Sequence, residues 1–161
     1  MTTIENPFFA RLWTVMSGHE PESLRRLRVE NLAGLTGRVL EVGAGTGTNF
    51  AHYPTGVTEV VAVEPEPPAC RSGSPCGSIA PVPVTVSTDT VETYAAQQPP
   101  GGASEATGKM FDAVVCSLVL CSLDEPDAVL RQLFSMISPG GQLRYLEHAA
   151  SSGPRASLQR L

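Results

Sequence analysis

Glu41, Gly43, Gly45, Gly47 and Glu64 are the residues whose types and spacing could do chemistry. From Arg38 to Phe50 a short apolar run ends in an acid and passes straight into a Gly-x-Gly-x-Gly turn. Without a Cβ, these glycines leave room for a ligand to lie against the main chain. Such a turn at the carboxyl end of a strand is where open α/β sheets bind nucleotide-like molecules. Glu64 closes the next apolar run, about 20 residues beyond the first glycine, where a carboxylate can accept hydrogen bonds from both hydroxyls of a ribose. A glycine turn alone is equally a structural device, and a strand-end acid alone equally a solvated one. Their coupling favours a ligand site. The dinucleotide fingerprint needs glycine or alanine at 48, and Thr48 stands there, which disfavours nicotinamide chemistry.

Strands must carry these groups. The β-branched and apolar stretches 38–42, 58–63, 81–86 and 111–118 read as strands, and Gln142 to Glu147 as a fifth. The third is placed at the sheet edge, because Pro83 is tolerated there. Helices are expected at 7–17, where Phe8, Phe9, Leu12, Trp13 and Met16 share a face, and from about Glu20 to Leu32. Short helices fit 47–53 and 88–96, and a longer one starts with Asp124 as cap and Pro126 in its first turn. Its buried stripe is Val129, Leu130, Leu133, Phe134 and Ile137. Pro139-Gly140-Gly141 reads as a sharp turn into the fifth strand. After Glu64 the prolines and glycines of 65–80 argue for an irregular loop, and 97–109 for another. Strands alternating with helices give an α/β fold, a doubly wound, mostly parallel Rossmann-like sheet. The chain reads as one domain over 1–161, with N-terminal helices at 1–34, a core at 35–148 and a tail at 149–161.

Bulk properties narrow the function. A length of 161 residues suits one modest core, and 42% apolar residues with a net charge of -5 suit a soluble protein. No basic stripe is present to neutralise phosphates, so nucleic acid is not an expected partner. Arg25, Arg26 and Arg28 form the one basic cluster and read as a solvated helix face. No apolar run reaches membrane-spanning length, and the N-terminus lacks a secretory leader. Cys70, Cys76, Cys116 and Cys121 lack paired zinc-ligand spacing. Cys116 and Cys121 read as small buried hydrophobes or site-lining thiols, and reduced thiols imply a cytoplasmic setting.

Together these words resemble the class I S-adenosylmethionine-dependent methyltransferases, with the closest likeness to the UbiE/methyltransferase-11 group and, within it, to the methyltransferase-like 7 (thiol methyltransferase) proteins. The likeness rests on Leu40 to Phe50, then Val114 to Ser122, then Ser138-Pro139-Gly140-Gly141, then Glu147-His148. It implies S-adenosyl-L-methionine as cofactor and a small-molecule methyl acceptor, a thiol or a lipophilic nucleophile. By the same resemblance Glu41, Gly43, Gly45 and Gly47 hold the methionine part, and Glu64 holds the ribose. Asp89 and Thr90 lie in the segment that contacts adenine, and Cys116, Ser117 and Leu118 lie beside the transferred methyl. A sulfonium leaves as a neutral thioether, so alignment in a dry pocket can supply most of the acceleration. That explains the lack of a Ser-His-Asp or paired-carboxylate set. His148 is the histidine placed to act as base toward a thiol or hydroxyl.

The sequence departs from the resemblance in three places. The crossover after Glu64 is rich in proline and glycine, the sheet ends after its fifth strand, and the apolar N-terminal membrane segment of the methyltransferase-like 7 proteins is missing. The fifth strand is then an exposed edge open to homodimer formation. Two rival readings stand beside methyl transfer: a cofactor-binding but catalytically incomplete family member, and a nicotinamide-dependent oxidoreductase.

Overall fold

A computed structural model describes residues 20–65, 80–98, 110–123 and 125–147. The expected helix at 7–17, most of the loops at 65–80 and 97–109, Asp124, His148 and the tail lie outside the described residues. The described elements run α1 (Glu22–Leu32), β1 (Gly37–Val42), β2 (Val57–Val63), β3 (Val84–Ser87), α2 (Val91–Gln97), β4 (Phe111–Ser117), α3 (Pro126–Ser135) and β5 (Ile137–Leu146). Single 3-10 turns at Phe50–His52 and Leu120–Ser122 complete them. The first takes the place of the short helix expected at 47–53, because the glycine turn runs almost to Phe50.

The five strands form one parallel sheet in the order β3-β2-β1-β4-β5. This is the doubly wound α/β arrangement expected from the alternation of strands and helices, with β3 at one edge and β5 at the other. Register brings the strand ends level. Val42 pairs with Val63 on one side and Cys116 on the other, Val63 pairs with Ser87, and Ser117 pairs with Leu146. Gly43, Glu64, Ser117 and Glu147 therefore emerge along one rim of the sheet.

Both faces are covered. Val39, Val60, Ala62, Ala113 and Val115 face a core that includes Leu32 of α1 and Phe50. Leu40, Val61, Val63, Val114 and Cys116 face the other, with Val129 and Leu133 of α3. This two-sided burial is why the central strands read as unbroken apolar runs. Val129 and Leu133 are at most 1% exposed, and burial of such a side chain contributes about 1.5–3 kcal/mol. Phe134, expected in the same stripe, is 59% exposed, because β5 is an outer strand and nothing described packs beyond it. The sharp turn expected at 139–141 is instead a bulge inside β5. Phe111 pairs with Ile137 and Ala113 with Gln142, so the extra residues loop out within the ladder. Among the described residues no helix is long and apolar enough to cross a membrane.

Candidate functional site

The rim where β2, β1 and β4 end side by side carries the predicted residues. The glycine turn follows β1, and Gly45 donates its N–H to Glu64 Oε2 at 2.7 Å. The acid at the end of β2 thus reaches across to the turn after β1. Gly45 has φ +53, and a Cβ built there would meet nothing within 4 Å. It is the glycine that presents bare backbone to open space. The other two serve packing. A Cβ on Gly43 would run into the Cβ and one branch of Val119, and one on Gly47 would stand 2.6 Å from the Phe50 ring. Of the three glycines expected to leave room for a ligand, Gly45 alone faces open space. At Gly43 and Gly47 the protein fills the space itself.

Glu41 sits one step behind the turn, 2% exposed, on the face of β1 that meets α1. Both of its oxygens accept hydrogen bonds from the protein, Oε1 from Asn49 Nδ2 at 2.8 Å and Oε2 from the Tyr53 hydroxyl at 2.8 Å. Asn49 also donates to Ser117 Oγ at 3.2 Å, and its own oxygen accepts from Arg28 Nη1 at 2.7 Å. Arg28 in turn pairs with Glu20 at 2.6 Å. The network Glu20–Arg28–Asn49–Glu41–Tyr53 ties α1 to the glycine turn and to the end of β4. A buried charge is tolerated only when so partnered. Burial pushes the Glu41 carboxyl up from 4.5 to about 7, against the lowering effect of the Tyr53 and Asn49 hydrogen bonds and the Arg28 charge. The neighbouring Glu64 charge adds to the rise. Tyr53 is held well above the ordinary phenol range, first by burial and then by the Glu41 carboxylate.

Arg28 corrects the reading of its cluster. Arg25 and Arg26 do form exposed pairs with Glu22 and Glu30, but Arg28 is 7% exposed. Leu24, Arg28 and Leu32 share one face at helical spacing, so the inward stripe of α1 carries a cation in its middle. That charge within an apolar stripe was the sequence signal for the network. Asn49 and Tyr53 gave none, because neither has a periodic place.

The remaining predicted residues that are described fall on the same rim or beside it. Asp89 accepts from Ser87 Oγ at 2.6 Å just past β3, and Thr90 caps α2 by accepting from Thr93 N at 3.2 Å. Ser117 ends β4 toward Asn49. Cys116 points to the opposite face, fully buried, where burial pushes its thiol up to about 12, with Glu147 and Glu41 adding to the effect. It is a neutral core side chain. Cys121, expected to be buried or to line the site, is exposed. Leu118 has φ 57, the only non-glycine residue in the left-handed region among the described residues. An apolar hollow of about 250 Å³ lies between α3 and β5, lined by Cys116, Leu120, Leu130, Phe134, Leu143 and Tyr145. Among the described residues no cluster of His, Cys, Asp and Glu could hold a metal ion.

The backbone at Gly45 is open, and the Glu64 carboxylate stands beside it. A family model described as a methyltransferase domain matches residues 16–161. The thiol S-methyltransferase TMT1B of Mus musculus is 33% identical over 156 residues, covering 93% of this chain and 61% of that protein. The thiol S-methyltransferase TMT1A of Homo sapiens is 31% identical, covering 90% of this chain and 58% of that protein. The chain thus spans about three-fifths of the length of these curated relatives. Among solved structures, the plantazolicin methyltransferase BpumL in complex with SAH superposes with a TM-score of 0.58 at 15% identity, covering 83% of this chain and 51% of that one.

Proposed function

The chain belongs to the methyltransferase domain family, and from that premise we propose that it binds S-adenosylmethionine and transfers its methyl group to a small-molecule acceptor, a thiol first among them. The observation that carries this reading is the open backbone at Gly45 with the Glu64 carboxylate 2.7 Å from its N–H. The thiol preference draws on the relatives' printed activity.

S-adenosylmethionine supplies an electrophilic methyl on a sulfonium that departs as a neutral thioether. The chain's residues bind and align. The open backbone of Gly45 lines the methionine arm, Gly43 and Gly47 hold the turn in shape on either side of it, and Glu64 accepts hydrogen bonds from the ribose while keeping its hold on Gly45. Asp89 and Thr90 flank the adenine. Ser117 and Leu118 border the methyl, and Cys116 closes the wall behind them as an apolar group. Glu41 acts through Asn49 and Tyr53, holding the turn in shape and adding negative potential that favours a cation. His148, immediately after Glu147, takes the proton of an acceptor thiol as the new carbon–sulfur bond forms. The reading sets the protein in the cytoplasm, supported by two free thiols among the described residues, and the β5 edge is the proposed seam of a homodimer.

Calorimetric titration tests the cofactor. We expect saturable binding of S-adenosylhomocysteine and none of NADH; the reverse result overturns the reading in favour of an oxidoreductase. A turnover assay against a panel of alkyl and aryl thiols tests the reaction. Binding without methylation of any thiol would leave a ligand-binding family member and remove the thiol acceptor.

A further inference from the structure

β4 leaves the sheet through a conformation that does not sustain itself. Leu118 sits at φ 57, a region L side chains rarely adopt. Such a residue persists only when its surroundings over-determine it. Here they do so from β5. Leu118 N donates to Leu146 O at 2.7 Å. One residue further, a single oxygen, Glu147 Oε1, accepts from Val119 N at 2.9 Å and from Leu120 N at 3.0 Å. Ser122 N then donates to Val119 O at 2.9 Å and closes the 3-10 turn. The consequence appears across the rim. Val119 is aimed at Gly43, where its Cβ and one of its branches occupy the space a side chain would take. Gly43 N in turn donates to Val63 O at 2.9 Å, next to Glu64.

We propose that Glu147 is a positioning residue for the cofactor site: it clamps the left-handed turn after β4 so that Val119 wedges against Gly43 and sets the shape of the glycine turn. The proposal rests on the cofactor reading above for its function, though not for its geometry. A carboxylate is needed, because two amides share one oxygen and a charged acceptor holds both more strongly than an amide would. The link joins the acceptor side of the site, at the ends of β4 and β5, to the cofactor side at β1. The sequence marks Glu147 itself, in the Glu147-His148 pair, but not this contact, since Glu147 is separated from its partners by 28 and 27 positions.

The test uses the full chain with Glu147→Ala and Glu147→Gln, each with Leu and with Gly at position 118. Amide hydrogen exchange without ligand is the first readout. Glu147→Ala is expected to speed exchange at Val119, Leu120, Gly43 and Gly45 by about tenfold or more, with Val60 and Val114 changed less than about twofold. Glu147→Gln is expected to do the same to a smaller extent, and it stands in should the alanine variant fail to fold. S-adenosylhomocysteine affinity is the second readout. Glu147→Ala should weaken it about tenfold, and that loss should shrink by about threefold or more in the Leu118→Gly background, where the turn needs no clamp. Unchanged exchange at Val119 and Leu120 would overturn the clamp. Faster exchange there with Gly43 and Gly45 unaffected would overturn the wedge. Equal affinity losses in both backgrounds would overturn the role of Leu118. A wild-type protein that shows the exchange pattern but binds no S-adenosylhomocysteine would refute the cofactor reading and leave the clamp standing.

Discussion

Replacing Glu41 with glutamine should remove a pH dependence built into the core. The carboxyl is raised from 4.5 to about 7, with burial as the leading cause. In the unfolded chain the group ionises near 4.5, so between that value and about 7 the native state holds a proton that the unfolded state has lost. Stability then falls as pH rises through this window, because the unfolded state binds fewer protons than the native one. A difference of about 2.5 pH units, at 1.36 kcal/mol per unit, amounts to about 3 kcal/mol, all of it present below pH 4.5 and gone above about pH 7. Glutamine keeps the volume and one acceptor for Asn49, and the Tyr53 hydroxyl can turn to accept from its amide. The assay is urea unfolding of both proteins at half-unit steps from pH 4.5 to 8. The difference between wild type and Glu41→Gln isolates this group, since all other titrations are shared. That difference should move against the wild type by about 3 kcal/mol across the window and level off above it. A flat difference, or one that moves in favour of the wild type as pH rises, would refute the claim that desolvation outweighs the Tyr53, Asn49 and Arg28 contacts.

Further perturbations separate packing from binding at the rim. Gly45→Val should abolish S-adenosylhomocysteine binding in calorimetry while lowering stability by only about 1–2 kcal/mol, the cost of an L side chain in the left-handed region, because no atom of the described residues lies within 4 Å of the Cβ position. Gly43→Ala should unfold more readily than Gly45→Ala in thermal melts, since its methyl meets Val119; equal melting temperatures would show that Val119 yields without cost. Glu64→Ala should weaken S-adenosylhomocysteine binding by about 1–3 kcal/mol, and an unchanged affinity would remove Glu64 from the ribose role. With its thiol held near 12 by burial, Cys116 should resist maleimide at neutral pH while the exposed Cys121 reacts, as site-resolved mass spectrometry would report; comparable labelling would show that the α3 face opens.

Much of this protein was legible in order along the chain. Apolar runs at 38–42, 58–63 and 111–118 name the central strands because burial on both faces leaves them no polar period. An acid near the end of the first of them with a glycine turn behind it, and an acid after the second, locate the rim, because parallel register brings consecutive strand ends level. Pro83 and the short run after it place β3 at an edge. All of these are local patterns, and local patterns depend only on neighbours in sequence. What the tertiary structure decided is what stands opposite each residue. Gly45 faces open space while Gly43 meets Val119, yet the two glycines have the same local signature. Arg28 turns inward because Asn49, 21 positions away, offers an oxygen where the helix stripe would otherwise be apolar. Glu41 lies behind the turn because Tyr53 and Asn49 fold back onto β1 and take both of its oxygens. Partners so distant in sequence meet only once the chain has closed, so a one-dimensional pattern can name the groups on the rim but not which of them face a ligand and which face one another.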